Sequence, residues 1–404
     1  MTTFDALLAP LSNALKNIGN LIDVETGSEI LFFEDFVRSL LFGFSIQVPT
    51  FRQLIVELET NSDAMVLGLI AFKRSTLKDG FVRFRAKYFE HLYQYALGQI
   101  ESMPVGDKLL QNIGLLKVID GSVFPLIKSM DWGAFRTKRK ALKVHLELCI
   151  NNLQVTNYII QAGNSDERKA LLDMIKAFET YICDRGYFSY VVVNAIHKLG
   201  AFFIFRLKKN YKMERIQGLE ITGIIPSCFL KVSDELVKFT SNPLQTEEAI
   251  FRIVRFQILK THFIICTNRR DLSTAEIMLC YAYRWQIELF FKFLKRSLGA
   301  IHLFSNTKNG AKVYLTLMLT FVLLQVSLKQ KCHKIVNNSG ETATGLVVNT
   351  PRLQTDYAIA TDWVYEMGLK FKYLFKISAN WLTYLKNSIA QIFDYQLVIA
   401  FATQ

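Results

Sequence analysis

Three carboxylates stand out by position. Asp120 and Asp184 each close a short apolar run, at residues 115–119 and 181–183, and Glu288 lies within a strongly apolar segment of helical period. A carboxylate at the end of a buried strand projects from the rim of a sheet, where it can face a cation or a substrate. Singly, an Asp just before Gly or Arg-Gly is more often turn chemistry. The segment around Glu288 adds to the signal. At about 100° per residue, Tyr281, Arg284, Glu288, Lys292 and Lys295 fall within an arc of about 80°. Leu289, Phe290, Phe291, Phe293 and Leu294 cover the other directions. Pairing of Glu288 with Arg284 and Lys292 at i,i+4 would account for part of this stripe, at a few tenths of a kcal/mol each. A helix this apolar should nevertheless be largely buried, and a buried stripe with excess positive charge calls for an anionic partner.

The pattern along the chain shows what must position these groups. From Phe4 to about Pro104 apolar residues recur at helical spacing, with Lys73, Arg74, Lys78, Arg83, Arg85 and Lys87 on the polar sides. A helical unit with one basic side is predicted over 1–104. Short apolar runs then predict a strand at 115–119, a hairpin of strands at 141–150 and 153–160, a helix from Ser165 through Phe178, and a strand at 181–183. A helix at 190–199 and a strand at 201–207 follow. Residues 208–262 turn basic and then β-patterned. A buried strand is expected at 263–267, a helix at 273–298 and an apolar helix at 313–328. The polar stretch 331–350 reads as a loop, and 356–404 as helical and aromatic. The order strand, strand, strand, helix, strand, helix, strand matches the ribonuclease-H-like sheet. There the first strand, the fourth strand and a later helix each supply a carboxylate to a shared pair of divalent metals. The chemistry explains the acids: two ions about 3.5–4 Å apart need hard oxygen ligands converging from separate elements. One would activate the attacking oxygen and the other would stabilise the leaving oxygen of an in-line displacement at phosphorus.

Composition narrows the function class. The 404 residues are 51% hydrophobic and 21% charged, which excludes a disordered or low-complexity chain. Lys and Arg number 48 against 35 Asp and Glu, a formal charge of +13 that favours a polyanionic partner, nucleic acid first and an anionic membrane surface second. The most apolar stretch, 313–328, is about one turn short of the ~20 residues that span a bilayer and carries Thr316, Thr320 and Gln325, so no membrane partner is expected. Asp5 and Ser12-Asn13 interrupt any secretory signal. Six scattered cysteines without a CxxC pair read as buried, reduced thiols of a cytoplasmic protein, and the adjacent Cys332 and His333 are too few for zinc.

Tyr281, Arg284, Glu288 and Lys295, with Trp285 after the Arg, reproduce the Y-R-E-K spacing of the insertion-sequence-four group of DDE transposases, which this sequence resembles over about residues 115–310. Asp120-Gly121-Ser122 and Asp184-Arg185-Gly186-Tyr187-Phe188 resemble the two Asp motifs of that group. Weaker likeness lies at Arg74-Ser75-Thr76-Leu77 and at Lys143-Val144-His145, whose His reads more readily as a core residue.

The resemblance implies a cut-and-paste DNA transposase with an α/β, ribonuclease-H-like mixed sheet. It is divided as helical DNA-binding unit 1–104, core 105–207, β-rich insertion 208–262, core 263–330 with the Glu helix, and loop plus helical region 331–404. Asp120, Asp184 and Glu288 would bind two Mg²⁺ ions, or Mn²⁺, and perform catalysis. Tyr281, Arg284, Lys295 and, outside the signature, Lys292 would hold DNA phosphates, with Trp285 near a displaced base. Lys208, Lys209, Lys212 and Arg215 are candidates to track the backbone. The expected partners are the element's terminal repeats, target DNA and a second copy of the chain. The alternatives are a metal-dependent nuclease of the same fold that does not join strands, and a non-catalytic DNA-binding regulator.

Overall fold

The computed structural model describes residues 3–27, 29–100, 110, 113–127, 130–136, 139–225, 229–241, 250–258, 260–296 and 303–339. The N-terminal part is helical: α1 (Thr3–Leu8), a 3₁₀ turn (Ala9–Leu11), α2 (Ser12–Thr26), α3 (Phe33–Ser45), α4 (Phe51–Thr60), α5 (Ser62–Val66), α6 (Arg74–Arg83) and α7 (Ala86–Gln99). Local chemistry sets several ends. Gly27 at φ 62° closes α2 in the left-handed conformation, and the Thr50 side chain accepts the Gln53 N–H to cap α4.

Within the helical spacing read over 4–104, the chain is interrupted between α6 and α7. Extended backbone at Phe84 turns its ring onto Phe33 and Phe36. The polar groups freed there are met by Asn309, which donates to the Phe81 and Phe84 carbonyls at 2.8 Å and accepts the Ala86 N–H at 2.9 Å.

The remaining elements are β1 (Leu116–Leu126), β2 (Ala134–Arg136), β3 (Arg139–Cys149), β4 (Gln154–Ala162), α8 (Glu167–Leu172), β5 (Thr180–Cys183), α9 (Tyr190–Lys198), β6 (Phe202–Arg206), β7 (Met213–Gly218), β8 (Leu230–Phe239), β9 (Ile250–Ile258), β10 (Thr261–Thr267), α10 (Thr274–Ala282), α11 (Arg284–Arg296) and α12 (Lys308–Ser339). The strands make one mixed sheet, in the order β2-β3-β1-β5-β6-β10-β9-β8-β7, with β4 also on β3. β1 runs antiparallel to β3 and parallel to β5, and β5 runs parallel to β6. The β-patterned region after residue 207 does not form a sheet of its own. β10 pairs with both β6 and β9, so β7–β9 extend the same sheet. One face is covered by α10, α11, α12 and the N-terminal helices, the other by α8 and α9.

Four expectations about element ends are corrected. The strand expected at 115–119 continues to Leu126, because β3 pairs with it through Leu126↔Lys140. The helix expected through Phe178 stops at Leu172 and is capped not by Ser165 but by Asp166, whose side chain accepts the Arg168 N–H, and Phe178 itself lies beyond it with a left-handed φ of 65°. The helix expected over 273–298 is two helices broken at Tyr283. The apolar helix at 313–328 begins at Lys308 and runs to Ser339, into the stretch read as a loop. Its segment Lys308–Leu328 is long and apolar enough to cross a membrane, but 83% of that window is buried within the protein, against α1, α3, α6, α7 and β4. That burial is the position of a core helix. The expected loop beyond Ser339 and the helical region 356–404 lie outside the described residues.

Candidate active site

The parallel pairing of β1 with β5 decides where the two Asp residues meet. The paired residues are Leu116↔Thr180, Lys117↔Tyr181 and Val118↔Ile182. Continuing that register by two residues, past the end of β5, directs Asp184 toward Asp120, and the two carboxyl groups are within electrostatic reach of each other. Asp120 is therefore not at the end of its own strand. It sits where β1 outruns β5, and the rim belongs to the shorter strand. β5 and β6 continue the row, because Cys183↔Phe205 places Arg206 beside Asp184. The sequence reading missed Arg206, although its signal, a charged residue closing an apolar strand, is the one that singled out Asp184.

Helix α11 brings the third acid. It packs on β1, with Phe291 against Phe124 at 6.5 Å and the Lys295 ammonium donating to Ser122 Oγ at 2.7 Å. Glu288 is half-buried there and accepts a hydrogen bond from Arg284 Nη1 at 2.7 Å. The carboxylates interact: burial, and secondarily Glu288 and Asp184, push the Asp120 carboxyl up to about 7, against the lowering effects of the Gly121 N–H and Arg284. Arg284 is buried, bonded to Glu288 and within electrostatic reach of Asp120 and Asp184. Among the described residues no three His, Cys, Asp or Glu side chains enclose a cation cage by themselves. The donor set still suits divalent cations. It supplies hard oxygens from three separate elements, and Asp184 Oδ1 is buried without a hydrogen-bond partner.

The other predicted residues divide between two helices. Tyr281 belongs to α10, not to the helix of Glu288, so the stripe is assembled across the break at Tyr283. Its phenol is buried 5.8 Å from the Arg284 guanidinium, and burial pushes its pKa up. Trp285 is half-buried, with the Arg284 guanidinium 5.0 Å from its ring. Lys295 is half-buried over the Phe124 ring, and burial lowers its pKa while Asp120 opposes that. Lys292 is half-buried on the same helix, whereas Lys208, Lys209, Lys212 and Arg215 are exposed.

A family model described as Transposase DDE domain matches residues 115–324, just over half of the chain, and spans every element that carries an acid. The chain belongs to the DDE transposase family. Two curated relatives agree. It is 25% identical over 222 residues to "Putative transposase y4zB" of Sinorhizobium fredii, covering 53% of this chain and 61% of that protein. It is 21% identical over 210 residues to "Probable transposase for insertion sequence element IS5377" of Geobacillus stearothermophilus, covering 51% of this chain and 54% of that one. The chain thus spans little more than half the length of either relative. DDE domains of transposases generally use divalent metals, which accords with the oxygen-rich donor set of this member.

Behind these carboxylates, on the opposite face of the sheet, His145 is paired in register with Gly121. Gly121 is required there, since a Cβ would meet His145 Nδ1 at 2.9 Å. Burial, and then Lys143, push the imidazole from its ordinary 6.5 down to about 4, against Glu167 and Asp166. The folded protein keeps this ring neutral where the unfolded chain would protonate it. Its contribution to stability is therefore complete above pH 6.5 and is lost as the pH falls toward 4, with a slope of up to about 1.4 kcal/mol per pH unit. Urea midpoints measured across that interval should fall less steeply for His145→Gln than for the native chain. Parallel curves would remove His145 as the cause.

Proposed function

We propose that this protein is a DNA transposase of the insertion-sequence-four group that cuts and joins DNA by phosphoryl transfer. The observation that carries the reading is the row made by Asp120 and Asp184 where β5 ends, with Glu288 laid over it from α11. The order β4-β3-β1-β5-β6, antiparallel on one side of β1 and parallel on the other, supports a ribonuclease-H-like core. Asp120, Asp184 and Glu288 would hold two Mg²⁺ ions, which Mn²⁺ could replace. When bound, these would supply nucleophile activation and Lewis-acid stabilisation of the phosphate.

The chain's own groups have distinct parts in this reading. Arg284, on releasing Glu288, and Lys295 would bind phosphates, with Lys292 alongside. Tyr281, its ring 5.8 Å from the Arg284 guanidinium, would join them at the phosphates, and Trp285 would lie near a displaced base. Residues 1–104 would recognise the element ends and 208–262 would extend the contact. The working form would be a homodimer joining two ends, cytoplasmic and associated with the nucleoid.

Labelled duplex carrying the element's end should be nicked at that end in Mg²⁺ by the native protein and left whole by Glu288→Ala. Cleavage that survives the substitution would withdraw the assignment. Strand-transfer products in the same reaction would separate a transposase from a nuclease.

A further inference from the structure

A groove of about 360 Å³ lies between the N-terminal helices and the far end of β1, lined by Thr50, Phe51, Arg74, Lys78, Leu126 and Phe304 among others. Among the described residues, its charged lining side chains are both cations, Arg74 and Lys78. Arg74 and Lys78 are one helical turn apart on α6, both exposed, and like charges at that spacing repel by a few tenths of a kcal/mol unless an anion lies between them. Phe51 and Phe304, in contact at 5.5 Å, form an apolar floor. The groove is a cationic rim over an apolar base, of a size to take a sugar and its phosphates.

Its place on β1 adds the second argument. Side chains alternate along a strand, so Asp120, Ser122, Phe124 and Leu126 share one face. From the acid centre β1 runs beneath α11, past Ser122, which accepts from Lys295, and the buried Phe124, and emerges at Leu126 on the groove. Six residues of strand are about 20 Å, the length of about six phosphates along one strand of a duplex. We propose that this groove holds the phosphodiester backbone of the DNA strand that leaves the acid centre, with Arg74 and Lys78 each neutralising a phosphate. The inference rests on the reading of that centre as the place where DNA is cut, and it assigns the α4–α6 side of the junction as part of the DNA track.

The test is binding of a fluorescein-labelled duplex of about 30 base pairs by the full chain, followed by anisotropy across a potassium chloride series. Arg74→Gln/Lys78→Gln should reduce the slope of log K against log salt by about 2 and weaken binding about tenfold at ~0.1 M salt. Both residues are exposed, so the fold should persist, as circular dichroism would check. Asn306→Trp, an exposed position on the groove wall, should fill the space and weaken binding several-fold with no charge changed. If the native chain binds with a steep salt slope and the double variant keeps it, the groove assignment is wrong while the transposase reading stands. If the double variant weakens and Asn306→Trp does not, the cations act from open surface and the groove is again excluded. If the native chain shows no salt-dependent binding, both readings fall.

Discussion

Asp184→Asn is expected to lower end cleavage in Mg²⁺ by about 10³-fold or more while leaving the folded protein as stable as before, or slightly more so. The two effects share one cause. Asp184 lies just past β5 within electrostatic reach of Asp120 and Arg284, and has a buried oxygen without a hydrogen-bond partner. Three carboxyl groups within reach of one guanidinium repel when no further cation is present, and the neutral amide relieves part of that repulsion at nearly constant shape. The same amide is a poor ligand for a hard divalent ion. Stability–activity opposition of this kind marks a site built for a bound charge rather than for packing. Thermal melting and a cleavage assay on the same preparation check it. A variant that keeps a tenth of native cleavage, or that melts many degrees lower, would mean that Asp184 is a structural residue.

Arg252→Ala should be the costliest of the substitutions considered, at about 3–5 kcal/mol. Arg252 on β9 and Asp234 on β8 form a buried pair, with Nη2 donating to Oδ2 at 2.6 Å and Nε to Oδ1 at 2.9 Å. The pair is tied onward. Arg252 Nη1 donates to the Leu272 carbonyl at 2.5 Å, and Asp234 accepts from Thr274 Oγ1 at 2.8 Å. The added strands are thereby fastened to the first turn of α10, the helix that leads into Tyr281 and the Glu288 helix. Removing the guanidinium leaves a buried carboxylate without its charge partner.

Arg215→Ala, at a side chain 67% exposed and paired with Glu235, is expected to change stability by under about 0.5 kcal/mol. Replacing both buried partners, as Asp234→Leu/Arg252→Met, should recover much of the loss because no unpaired charge remains. Urea denaturation of the four proteins measures all of this. A loss below about 1 kcal/mol for Arg252→Ala would show the pair to be unimportant.

What was legible before the structure followed from local rules. Short runs of five and three residues, each closed by a carboxylate, located the start of β1 and β5, and helical period located the N-terminal helices and the segment carrying Glu288. The ends of elements were less legible because partners outside the segment set them. β1 is long because β3 accompanies it to Leu126, and the helix of Tyr281 and Glu288 breaks at Tyr283 although its sequence pattern continues. The α6–α7 break depends on Asn309, more than 200 residues away.

By itself the sequence determined which side chains could do chemistry. The two Asp motifs, the Y-R-E-K spacing and the net positive charge are properties of residue type and order, and they need no coordinates. Only the tertiary structure decided how those groups lie relative to one another: that the parallel pairing of β1 and β5 directs Asp184 toward Asp120, that Arg284 bonds Glu288 within electrostatic reach of both, and that β6 brings Arg206 to the same end of the sheet. The reason is that electrostatic coupling and strand pairing depend on distance in space. Residues 64 positions apart become neighbours only when β1 and β5 pair, and nothing in the intervening residues encodes that register locally.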